Sequence, residues 1–108
     1  MSTELALSAY RPFPGKAEAL QEFLAEELAT LRRRGLVTDR PAPVIRTDAD
    51  ELLVVLEWAS GHAVGDAHED REILALWERK AQLAEYISPR ELKGSGVPFA
   101  RWTIVVDV

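Results

Sequence analysis

The sequence predicts an α+β sandwich: two helices on one face of a four-stranded antiparallel sheet, with the chain running β-α-β-β-α-β. Three observations carry this reading. Apolar residues alternate near both ends of the chain, at 4–11 and 99–108. They recur at steps of three and four from Ala17 to Leu31 and again from Ile73 onward. Between the helical stretches stand two short apolar runs separated by Asp48, Ala49 and Asp50. This order is that of a ferredoxin-like sandwich. With 108 residues there is room for a single domain spanning 1–108, and a chain of this size can bury about two-thirds of its surface without metals or disulfides.

Over Glu4–Arg11, Leu5, Leu7 and Ala9 share one side of a strand, and Glu4, Ala6, Ser8 and Tyr10 share the other; Pro12 and Pro14 end it. Ala17, Leu20, Leu24, Leu28 and Leu31 form the stripe of an amphipathic helix, with Glu18, Gln21, Glu22 and Glu26 opposite. Arg32, Arg33 and Arg34 suit the negative end of its dipole, Gly35 supplies a left-handed residue, and Leu36 can fold back on the last turn. Pro41 and Pro43 cannot donate ladder hydrogen bonds, so Val44–Thr47 is expected as a short strand at a sheet edge. In the next strand, Leu52, Val54, Leu56 and Trp58 face one way and Leu53 and Val55 the other.

Ser60 is expected to cap a short helical piece reaching His68, which Gly61 and Gly65 weaken. Asp70 should cap a second long helix bearing Ile73, Leu76, Trp77, Ala81, Leu83, Ala84 and Ile87, stopped by Ser88-Pro89. After a loop with Gly94, Ser95, Gly96 and Pro98, Phe99–Val108 reads as the final strand, with Ala100, Trp102, Ile104 and Val106 on one side.

Two helices cover only one face of such a sheet, yet the third strand is apolar on both and Val105 stands opposite the main row of the last. The second face needs a cover, and a second copy packed sheet against sheet is the simplest; a ligand or another protein is the alternative.

Composition narrows the function classes. Eighteen acidic against 13 basic residues give a net charge of −5, so attraction to a phosphate backbone lacks its source and no nucleic-acid partner is expected. Without cysteine there are no disulfides, thiolate nucleophiles or cysteine metal sites. The longest apolar run, Leu52–Leu56, is far short of a membrane span, and the start of the chain has neither a basic cluster nor an apolar stretch of signal-peptide length. The expected location is the cytoplasm, with no membrane partner.

Pro14-Gly15-Lys16 before the first helix, the run Leu53-Val54-Val55-Leu56-Glu57-Trp58-Ala59-Ser60, and Ala67-His68 eight residues after Ser60 form a pattern across most of the chain. It resembles the antibiotic-biosynthesis-monooxygenase-like family of dimeric α/β barrels. The resemblance implies that two ferredoxin-like subunits join their sheets into a barrel, with a pocket in each subunit between sheet and helices. It also implies a pocket near Trp58, His68 and Trp77, and an oxygenase acting on a flat aromatic molecule without metal or flavin; other members degrade haem. The family's oxygenases pair a tryptophan with an asparagine, and this chain has no asparagine. Gln82 offers an amide, but not at the matching place.

His68 is the candidate base, since a neutral imidazole takes protons near pH 7; its bland alternative is a half-exposed helix-end residue bonding a backbone group. Trp58, at the end of a buried strand and at the position matching the family's catalytic or ligand-stacking ring, is the second candidate catalytic residue. Tyr10, Leu56, Trp77 and Trp102 are candidates for the pocket wall, against a reading as core and interface. His62, Asp66 and Glu69 share one helical face, but neighbouring glycines and the lack of a second spaced histidine leave no metal site expected, and no cofactor either.

Arg11, Arg46 and Arg101 project from three strands and could converge on a carboxylate, or serve as solvated charges. Gly94-Ser95-Gly96 is neither a phosphate loop nor a nucleophile elbow, which removes hydrolase readings. The expected protein is a homodimer whose pocket takes a small, flat, largely apolar molecule. The rival is a non-catalytic dimerisation module whose pocket is small and filled by Trp77 and Leu56.

Overall fold

The computed structural model describes residues 2–108. It is an α+β fold with a five-stranded antiparallel sheet in the order β4-β1-β3-β2-β5. The strands are β1 (Glu4–Pro12), β2 (Pro43–Arg46), β3 (Leu52–Trp58), β4 (Ala84–Ile87) and β5 (Thr103–Asp107). The helices are α1 (Ala17–Arg33), the short α2 (Ala63–Ala67) and α3 (Arg71–Lys80), with one 3-10 turn at Pro89–Glu91. The first four strands and the two long helices are compatible with a ferredoxin-like arrangement, β1 and β3 pairing at the centre with Ala6 opposite Leu56 and Tyr10 opposite Leu52.

Helix α1 ends as its residues require. Gly35 takes φ +73, its N–H reaches the Arg32 carbonyl at 2.9 Å, and the Leu36 N–H reaches the Leu31 carbonyl at 2.9 Å, satisfying carbonyls that would otherwise lack partners. Asp70 caps α3, its side chain accepting from the N–H groups of Glu72 and Ile73. Ser60 does not cap α2: that helix begins after His62 without a side-chain cap, and Ser60 is buried with its carbonyl accepting from the Ala63 N–H.

The sheet departs from the four-strand expectation in three places. Ala84–Ile87 is not the end of a helix but strand β4 at one edge, with Pro12 opposite Ala84 and Ala9 opposite Ile87. The helix stops at Lys80 because the following turn delivers the chain to the free edge of β1, where the Phe13 N–H bonds the Leu83 carbonyl at 2.9 Å; ladder pairing outweighs a helical spacing that merely continued. The last strand is consequently a fifth, and it is shorter than expected, Thr103–Asp107 rather than 99–108. It pairs with β2, so β2 is interior; Pro43 is tolerated there as the strand's first residue. Finally, the register shifts between Val44, opposite Val106, and Ile45, opposite Ile104, leaving Val105 as a bulge. Trp102 and Val106 therefore do not share a row: Val106 packs against the core under the helices and Trp102 on the opposite face.

The main core lies between sheet and helices. Leu20, Leu24, Leu28 and Leu31 of α1 and Ile73 and Leu76 of α3 bury against Tyr10, Val44, Leu52, Val54 and Leu56, each large aliphatic contributing about 1.5–3 kcal/mol. On the far face, Ala9, Ile45, Leu53 and Leu92 form a smaller cluster with Val55, Ile87 and Trp102. Leu5, Leu7 and Ile104 remain exposed there, so only part of that face is covered within one chain.

Candidate functional site

Two charged residues interrupt the apolar stripes of the facing helices. Glu27 follows Leu24 by three positions and precedes Leu31 by four, and Lys80 follows Ile73 by seven, so helical spacing turns both inward. They meet at 2.6 Å, Lys80 Nζ donating to Glu27 Oε2, with both side chains almost wholly removed from solvent. Lys80 is also the last residue of α3, where the negative end of the helix dipole favours a cation. The ammonium donates again, to Tyr10 Oη at 3.0 Å, and lies 4.9 Å from the ring centroids of both Tyr10 and Tyr86 and 6.0 Å from that of Trp77. No buried side-chain polar atom among the described residues lacks a partner.

Tyr10 is held as a neutral phenol. Burial is the main reason its pKa is pushed far above the ordinary tyrosine value, and the negative charge of Glu27 and the neighbouring Tyr86 push the same way. Its ring sits 4.8 Å from that of Tyr86, tilted by 43°.

These groups form the floor of a cleft between the sheet and helices α1 and α3, walled by Leu28, Leu31, Val54, Leu56, Trp58 and Trp77, with Ser8 at its base. Apolar walls around a few convergent polar groups are the usual make-up of a small-molecule site. The free space is about 40 Å³, room for a few water molecules. Trp58 and Trp77 are each only partly buried, and Tyr86 is exposed.

Of the residues singled out by sequence, Tyr10, Leu56, Trp58 and Trp77 come together here. His68 does not line the cleft. Its Nδ1 pairs with the Val64 carbonyl at 2.8 Å on an exposed helix end, and its ring meets Trp77 edge-on at 4.8 Å. Trp102 lies on the other side of the sheet, its Nε1 donating to the Lys93 carbonyl at 2.8 Å, because the bulge at Val105 changes which side that segment faces. His62 pairs with Asp66 at 3.0 Å on the surface, and no group of three or more metal-ligating side chains occurs among the described residues.

The arginines are not gathered on a common centre. Arg11 is engaged by Glu51 and Glu85, and Arg46 by Glu18 and Asp50, while Arg101 lines a separate depression beside Trp102. Sequence reasoning missed Glu27 and Lys80, whereas Tyr86 was among the aromatic residues it offered for a pocket wall. The available signal was a charge of each sign standing in the apolar stripe of each helix.

Comparison with protein-family models, with curated proteins and with solved structures returned no match to this chain.

Proposed function

We propose that this chain is a homodimeric protein of the antibiotic-biosynthesis-monooxygenase-like kind, whose cleft between sheet and helices takes a small, flat, largely apolar molecule. The observation that carries this reading is the buried Glu27–Lys80–Tyr10 cluster beneath aromatic walls. Neutral and charged polar groups held together at the bottom of an apolar cleft, and fully partnered there, are costly to maintain as packing alone. The reaction class is cofactor-independent oxygenation: a phenol-like ligand gives up a proton to solvent, its carbanion forms a C–O bond with dioxygen to give a protonated peroxide, and loss of water from that peroxide breaks the O–O bond and leaves a carbonyl, the ligand itself supplying the electrons. Trp58 and Trp77 form the stacking walls, and His68 acts on the site through its edge contact with Trp77.

The homodimer is the cover for the far face of the sheet. Leu5, Leu7 and Ile104 present an apolar surface that a second copy of the same face would bury.

A second reading is favoured by the free volume of about 40 Å³: the cleft is closed by its own tryptophans, and the domain is a non-catalytic pairing module. A thermal-shift screen with hydroxylated aromatics separates the two. A ligand at a hundred times its Kd adds about 2.7 kcal/mol of stability, and Trp58→Ala should remove that shift. An oxygen electrode then reads consumption with whichever compound binds. A flat panel leaves only the pairing module, and light scattering that reports a 12.1 kDa particle removes the dimer from both readings.

A further inference from the structure

Arg101 lines a depression between the turn that follows β2 and the loop that enters β5, beside Trp102 on the sheet face opposite the helices. Its volume is about 220 Å³, about five times the free space of the cleft. Arg46 borders it but is already held by Glu18 at 2.7 Å and Asp50 at 3.0 Å. Lys93 and Arg101 are exposed, and neither has an ion-pair partner among the described residues. Lys93 forms its hydrogen bonds through the backbone, which leaves the ammonium donors open. The lining includes one carboxylate, Asp48, against these two cations, so its unpaired charge is positive on a chain whose net charge is −5.

The backbone beneath these cations is fixed by contacts that do not use their charge. The Lys93 N–H donates to the buried carboxylate of Glu51 at 2.8 Å, and the Lys93 carbonyl accepts from Trp102 Nε1 at 2.8 Å. Gly94 then turns at φ +92, where a Cβ would stand 3.3 Å from the same indole nitrogen. Lys93 is thus tied to the residue that follows Arg101, and donors placed before a ligand arrives lose less freedom when it binds. From this geometry we infer that the depression binds a small molecule bearing an oxyanion, a carboxylate or a phosphate, gripped by the Lys93 ammonium and the Arg101 guanidinium. Arginine offers paired N–H groups that match two oxygens of such a group, lysine adds a point charge, and Trp102 provides an apolar flank for the rest of the ligand. The site is independent of the cleft and of any reaction there.

The probes are sodium phosphate and sodium acetate, titrated into the isotope-labelled chain and followed by heteronuclear NMR, with sodium chloride at equal ionic strength as the reference. The amide signals of Lys93, Gly94 and Thr103 and the indole N–H signal of Trp102, assigned by its loss in Trp102→Phe, should shift saturably with at least one oxyanion and not with chloride. The tighter of the two probes tells a phosphoryl ligand from a carboxylate one. Lys93→Gln and Arg101→Gln should each weaken binding about 2- to 5-fold, the range of ion pairs open to solvent, and the double variant should respond as it does to chloride. Asp48→Asn removes the one repelling carboxylate and should strengthen binding by a similar factor. Arg90→Gln removes a charge from the same segment outside the depression and should leave the affinity unchanged. Linear shifts shared by all three salts, a double variant that binds as well as the wild type, or a loss in Arg90→Gln equal to those of the lining variants overturns the inference.

Discussion

On its helix side the sheet buries Tyr10, Val44, Leu52, Val54 and Leu56 beneath α1 and α3, whereas on the other side Leu5 is 66% exposed, Leu7 53% and Ile104 59%. The same strands supply both faces, since successive side chains point to opposite sides. Apolar character alone therefore does not decide which face is inside: on β1 the row Ala6, Ser8 and Tyr10 lies toward the helices, and the greasier row of Leu5 and Leu7 is left open. Polar atoms divide in the opposite sense. The closed face holds an ion pair and a phenol that satisfy one another, while the open one is dominated by aliphatic side chains, the composition of a surface that meets another apolar surface.

The largest expected effect comes from breaking the balance on the closed face. Lys80→Met alone strands the Glu27 charge and should cost about 3–5 kcal/mol in urea unfolding; adding Glu27→Gln should restore most of that. Leu24→Ala, beneath the same helices, should cost about 3 kcal/mol by the cavity it leaves. Leu7→Ala on the open face should change the stability of a dilute, monomeric sample by about 0.5 kcal/mol or less, while Leu7→Asp should split the proposed homodimer into monomers by light scattering without altering the far-ultraviolet circular dichroism. Equal penalties for Leu24→Ala and Leu7→Ala under those conditions would erase the contrast between the faces.

Smaller effects refine how the helices are held over the closed face. Gly35→Ala meets no neighbouring atom but must adopt φ +73, and should cost about 1 kcal/mol from backbone strain alone. The Asp70 carboxyl is subject to some burial, which raises its pKa, but the Arg34 guanidinium and the N–H groups of Ile73 and Glu72 outweigh this and hold it below the ordinary aspartate value. A lowered native pKa stabilises the fold above the unfolded value, near 3.9, and that contribution disappears as pH falls toward the native one. The gap in urea midpoint between wild type and Asp70→Asn should thus be widest near neutrality and close in acid.

Legibility from sequence followed the range of the interactions involved. Helix α1 and the Asp70 cap were readable because their determinants, the stripe, Gly35 with Leu36, and a carboxylate two residues before Glu72, are local. Strand β4 was not, because Ala81, Ala84 and Ile87 continue a helical spacing with no glycine or proline to interrupt it, and only the edge of β1 converts them to a strand. The bulge at Val105 likewise depends on β2 and so left no mark in the alternation of the last strand. At the site, the aromatic walls were visible as residue types, but Glu27 and Lys80 are partners 53 residues apart, a distance over which spacing carries no information.

The extra residue in β5 also bears on how the molecule behaves in a crowded solution. A strand at the rim of a sheet exposes a ladder of unused backbone donors and acceptors that another chain can adopt as a template, and a kinked rim offers a poor match to a straight newcomer. Deleting Val105 would even out the spacing along β2 and leave a flat, valine- and isoleucine-bearing border, converting a self-limiting particle into one prone to grow by fibre-like addition.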